Sequence, residues 1–162
     1  LPAENSGKEP VTTRDMWGFA ESQETVGVGP EMFEEFIFPY QYDILDRFGL
    51  NCYGCCEGLD KRMHIVKRFP RLRRVSVSPW ADKRAMSGML GKDYIYSLKP
   101  KPSPLAQPVL DEDDLRKEMR EYLSITRNNH TEIIMKDNHT LGGNPDNARL
   151  WVELLREEMD RI

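Results

Sequence analysis

Leu50-Asn51-Cys52-Tyr53-Gly54-Cys55-Cys56-Glu57 holds every cysteine of the chain and ends in a carboxylate. It lies between two stretches with helical spacing, so it reads as a strand of an alternating strand–helix chain. As a strand it would turn Tyr53, Cys55 and Glu57 to one face and Cys52, Gly54 and Cys56 to the other. Two adjacent thiols and a carboxylate at the end of a short apolar run suit a metal or a reactive sulfur. Free cysteines are also common core residues, and two that point oppositely leave one with a packing role.

Upstream, Pro30 is placed as a first helical residue. Met32, Phe33, Phe36, Ile37, Tyr40, Ile44, Leu45 and Phe48 then recur at helical spacing up to Gly49. Pro39 falls inside that pattern and predicts a kink. Further upstream, residues 17–24 alternate large and small side chains as a strand, breaking into a loop at Gly27 and Gly29. Residues 1–16 read as a loop or linker.

Downstream, a short amphipathic helix is expected over 60–69, carrying Met63, Ile65, Val66 and Phe69. A β-branched strand comes next at 74–78, then a helix at 82–90 and a strand at 94–98. Lys99-Pro100-Lys101-Pro102-Ser103-Pro104 reads as an extended loop. Residues 111–126 have an acidic first turn and a buried stripe of Leu115, Met119, Tyr122 and Leu123, which predicts a helix. A strand is expected over 131–135. A last helix opens at Asn144-Pro145, with Leu150, Trp151, Leu154, Leu155 and Met159 on its apolar face. Strands alternating with helices throughout argue for an α/β fold with a parallel sheet.

At 162 residues the chain can bury one full-sized core. A net charge of −4 does not point to nucleic acid or a membrane surface. Arg68, Arg71, Arg73 and Arg74 read as a solvated helix end. No Gly-rich nucleotide fingerprint comes after a strand. Three clustered cysteines are no disulfide framework, so the cytoplasm is the expected compartment. No apolar run reaches membrane-spanning length. The chain opens at Leu1 with no methionine, as a processed product or an excised piece does.

Three motifs in order carry a resemblance. Residues 29–36, Gly-Pro-Glu-Met-Phe-Glu-Glu-Phe, with Pro39-Tyr40 one turn on, are similar to the SPxxFxxFxxPy helix of the uroporphyrinogen decarboxylase-like superfamily. Tyr53-Gly54-Cys55-Cys56 falls at its His-x-Cys-Gly strand end. The run from Ile133 to Asn147, with Gly142-Gly143-Asn144-Pro145-Asp146-Asn147, resembles its last strand and Pro-x-Asn helix start. The resemblance spans residues 17–162, and Tyr-Gly-Cys-Cys-Glu points to an uncharacterised bacterial branch. It implies the C-terminal half of a (β/α)₈ barrel. It also implies a missing half, supplied by the N-terminal part of the same barrel or by self-association.

The superfamily's zinc methyltransferases, some of them dependent on a corrinoid partner protein, hold zinc by a His-x-Cys strand end and a late cysteine. By that likeness Cys55 matches the cysteine, Tyr53 replaces the histidine and His139 stands at the last ligand. Glu21, Cys56 or Glu57 would complete the sphere, and a thiol would accept the methyl group. Lys99 and Lys101, after a strand end, would attract an anionic part of the small-molecule substrate. The second branch is the metal-free decarboxylase, whose final-strand histidine coincides with His139. A third reading is a non-catalytic binding or assembly half. His64 and His130 read as solvated.

Overall fold

The computed structural model describes residues 10–161 of the chain. The fold is α/β. Five strands lie in sequence order in one sheet: β1 (Trp17–Ala20), β2 (Leu50–Tyr53), β3 (Leu72–Val77), β4 (Ile95–Leu98) and β5 (His130–Ile133). Every neighbouring pair is parallel. Parallel neighbours require a crossover at each step. These are made by α1 (Pro30–Phe36) and α2 (Phe38–Leu45), then α3 (Met63–Val66), α4 (Lys83–Leu90) and α5 (Glu112–Ile125). After β5 the chain closes with α6 (Asp146–Met159).

The pleat sorts the strand residues into two faces. Tyr53, Val75, Val77, Tyr96 and Leu98 point to the helices and join Phe33, Leu45, Met63, Ile65, Val66, Met86 and Leu90 in the main core. The alternate residues Cys52, Arg74, Ser76 and Ser97 point away from the helices into a cavity. A second apolar cluster holds Leu115 and Met119 of α5 against Trp151, Leu154 and Leu155 of α6. Asp82 and Asp111 cap their helices, each Oδ1 accepting a backbone N–H three residues on, at 2.9 and 3.0 Å.

Several expected boundaries move. The 50–57 strand stops at Tyr53, because Gly54 takes φ +96° and turns the chain. A Cβ at Gly54 would stand 2.6 Å from Leu59 Cδ1 and 3.1 Å from the Ser76 carbonyl oxygen, so the turn needs glycine. Cys55, Cys56 and Glu57 therefore lie in a loop, and the face alternation applies only up to Tyr53. The 30–48 helix is two helices parted at Ile37, with Pro39 in the first turn of the second rather than at a kink.

The strand at 17–24 ends at Ala20, and residues 23–25 form a 3₁₀ turn. The 60–69 helix contracts to α3, the 131–135 strand begins and ends earlier, and a 3₁₀ turn at Ser103–Ala106 interrupts the proline loop. Of the loop expected over 1–16, residues 1–9 lie outside the described residues, and Thr13–Asp15 form a 3₁₀ turn. Arg73 and Arg74 are strand residues, not part of a helix end. Among the described residues no helix is long and apolar enough to cross a membrane.

Candidate functional site

A cavity of about 340 Å³ opens on the helix-free face, above the C-terminal ends of the strands. Its wall includes all three cysteines, three cations (Arg74, Lys99, Lys136) and the hydroxyls of Ser76 and Ser97. The C-terminal edge of a parallel sheet is where α/β folds gather residues distant in sequence.

Arg74 forms an ion pair with Glu132 across β3 and β5, and it reaches Ser97 Oγ at 3.4 Å. Lys99 is half-buried next to it. Burial depresses its ammonium pKa first, and the Arg74 charge depresses it further. Among the described residues no hydrogen bond or ion pair engages Lys99 Nζ. A desolvated cation next to another cation is stabilised by any anion that reaches both.

The cysteine loop is built from below. Glu57 is buried, and its Oε1 accepts from Ser22 N at 2.9 Å and Ser22 Oγ at 2.8 Å, while Oε2 accepts from Cys55 N at 3.1 Å. Ser78 Oγ donates to the Cys56 carbonyl at 2.7 Å. Those bonds tie the loops after β1, β2 and β3 together and present both thiols to the cavity.

Cys55 Sγ and Cys56 Sγ are 3.5 Å apart. Lys136 Nζ donates to Cys56 Sγ at 2.7 Å, and Asp137 Oδ2 lies 3.4 Å from the same sulfur. Lys136 also pairs with Asp137 at 2.6 Å. Burial lowers the Lys136 pKa, but its bonds to Asp137 and Cys56 outweigh that and the net shift is upward. The Lys136 bond holds Asp137 below the ordinary carboxylate range. Cys55 differs from its neighbour: burial, then Glu21 and Cys56, push its thiol up to about 12. Cys52 is raised mainly by burial, with Arg74 and Lys99 opposing.

The expected metal set does not assemble. Two sulfurs on one zinc at about 2.3 Å each would stand roughly 3.7 Å apart, so Cys55 and Cys56 have the spacing of a ligand pair. Asp137 reaches Cys56 and Glu21 lies beside Cys55, but among the described residues no further donor converges on both. Glu57 is occupied by Ser22 and Cys55, and His139 is exposed and lines a separate hollow with Asn138, Thr140 and Leu141. Lys136 already places a positive charge on Cys56. Among the described residues no group of three or more His, Cys, Asp and Glu side chains could hold a metal ion. Tyr53, expected from the resemblance to stand in for a histidine ligand, points into the core and donates to Gln41 Oε1 at 2.8 Å.

The structure thus brings Cys55, Cys56, Lys99 and, beside Cys55, Glu21 to one site. Lys101 stays outside it, exposed, with Nζ 5.7 Å from the Trp80 ring centroid. Arg74, Ser76, Lys136 and Asp137 are site residues that the sequence reading passed over. The signal for the first two was the alternation Arg74-Val75-Ser76-Val77, which marks a polar face opposite a buried one. No family model matches the chain, and no curated protein or solved structure matches it either.

Proposed function

We propose that the chain is the C-terminal half of a (β/α)₈ barrel of the uroporphyrinogen decarboxylase-like type. Its helix-free face would hold the negatively charged part of a small-molecule substrate in a metal-free lyase. The observation that carries this reading is the half-buried Lys99 ammonium, unpaired among the described residues, beside Arg74 in a cavity at the strand ends. Loss of carbon dioxide leaves an electron pair on carbon. Fixed cations in a partly dry site stabilise the negative charge as it develops. Arg74 and Lys99 would anchor a substrate carboxylate, with Lys136 at the other side of the cavity. The zinc and corrinoid chemistry of the methyltransferase branch asks for a third converging donor, which the described residues do not supply.

Citrate, as a polycarboxylate probe, tests the anion site by calorimetric titration at two ionic strengths. Wild type should bind it with an affinity that falls with salt. Lys99→Met should weaken binding at least tenfold and flatten the salt dependence, while Lys101→Ala should match wild type. Equal affinity in wild type and Lys99→Met would contradict the reading, as would stoichiometric zinc in the purified protein.

A further inference from the structure

Among the described residues, Cys56 is the one of the two adjacent thiols in hydrogen-bond contact with a cation. Cys56 Sγ accepts from Lys136 Nζ at 2.7 Å, whereas Cys55 Sγ is 3.5 Å from Cys56 Sγ and lies beside the Glu21 carboxylate. A thiolate is the nucleophilic form of cysteine, and a neighbouring ammonium favours it. The Lys136 side chain is 13% exposed and Asp137, which shares the contact, is 51% exposed. Asp137 Oδ2 touches both partners, Lys136 Nζ at 2.6 Å and Cys56 Sγ at 3.4 Å, so sulfur, ammonium and carboxylate form one closed contact. Cys56 and both remaining cations of the site, Arg74 and Lys99, line one cavity.

We infer that Cys56 is a nucleophile for anionic electrophiles, with Lys136 hydrogen-bonded to its sulfur and Arg74 and Lys99 receiving the electrophile's negative group. The inference rests on the anion-binding reading for its choice of electrophile, and on the Lys136 contact for its choice of thiol.

The step balances without an added oxidant or reductant. The Cys56 proton passes by Asp137 Oδ2 to solvent. An electron pair of Sγ then forms a bond to an electrophilic carbon. The bond from that carbon to its leaving group breaks, and the leaving group departs with the bonding pair. The substrate class is a small acid that carries a carbon with a leaving group near its carboxylate. Cys55 remains a neutral thiol beside the reacting sulfur. Lys136 is a positioning residue, acting through the sulfur it contacts.

Iodoacetate and iodoacetamide test this directly, because they present the same reacting carbon with and without a carboxylate. Labelling of each cysteine is monitored by peptide mass spectrometry, with the urea-unfolded chain as internal reference. Cys56 should label first with both reagents. Its iodoacetate-to-iodoacetamide rate ratio should exceed the unfolded chain's by at least tenfold, and Lys99→Met should bring it back toward the unfolded value. Lys136→Met should slow Cys56 at least tenfold, Lys136→Arg should restore most of the rate, and Lys101→Ala should behave as wild type. Near-ultraviolet dichroism checks that each variant is folded.

Preferential labelling of Cys55 or Cys52, or no effect of Lys136→Met, would overturn the inference. Slow Cys56 with citrate binding intact would overturn it through the Lys136 contact alone. Fast Cys56 without preference for iodoacetate would overturn it through the anion site, the failure shared with the proposed function.

Discussion

Gly54 shows how much a single residue decides here. Its positive φ ends β2 and swings Cys55 and Cys56 off the strand line, and its missing Cβ leaves room for Leu59 and the Ser76 carbonyl. Gly54→Ala should therefore destabilise the fold by about 1–3 kcal/mol from backbone strain alone, and more if Leu59 cannot move. Urea denaturation measures it, and an unchanged midpoint would contradict the positive-φ turn. The cysteine-rich stretch was legible as the centre of the molecule, but a strand assumption carried through the glycine misassigned Cys55, Cys56 and Glu57. Alternation holds only while the backbone stays extended. Tyr53 obeys it and is buried. Glu57 does not: its position came from Ser22 and the Cys55 amide, partners that no local pattern shows.

Among the elements, α5 and α6 give the sharpest test of charge. The Glu158 side chain is 1% exposed on α6, and it accepts from Arg120 at 2.7 and 3.1 Å, Arg116 at 2.9 Å and Arg161 at 2.8 Å. The Arg120 bond is the largest cause holding its pKa down at about 2, against burial, which would raise it. A carboxyl depressed in the folded state stabilises the fold above its ordinary pKa, and that stability is lost as pH falls through the folded value. Stability should thus decline as pH drops from about 4.5 to about 2. Glu158→Gln should be less stable at pH 7 and show a flatter acid limb, read from thermal midpoints across that range. Parallel curves for both proteins would contradict the pairing. Helix and strand order was legible because apolar spacing changes period at each boundary. The ends of the short elements were not, since α3 and β5 are held by packing and pairing rather than by local propensity.

At the scale of the molecule, the parallel sheet separates an apolar face under helices from a polar face above the strand ends. A net charge of −4 hides this separation, because Arg74, Lys99 and Lys136 come together only when β3, β4 and the segment after β5 are side by side. Lys99 was legible as a residue just past a strand end, and Lys101 looked equivalent. The difference between them is that Lys101 lies over the Trp80 ring, outside the cavity, a contact that only the folded chain supplies. A second arginine-lined hollow exists on the opposite, helical side, where Arg120, Arg127 and Arg161 surround Glu158. In it, Arg120 and Arg161 are paired with that carboxylate, as Arg74 is with Glu132 and Lys136 with Asp137 in the first cavity.

The most direct measurement of the central claim is therefore a citrate titration read residue by residue in amide and side-chain NMR spectra. The account predicts saturable shifts gathered on Cys52, Cys56, Ser76, Ser97, Lys99 and Lys136. Shifts gathered instead on Arg120, Arg127 and Arg161, or none that saturate, would contradict it.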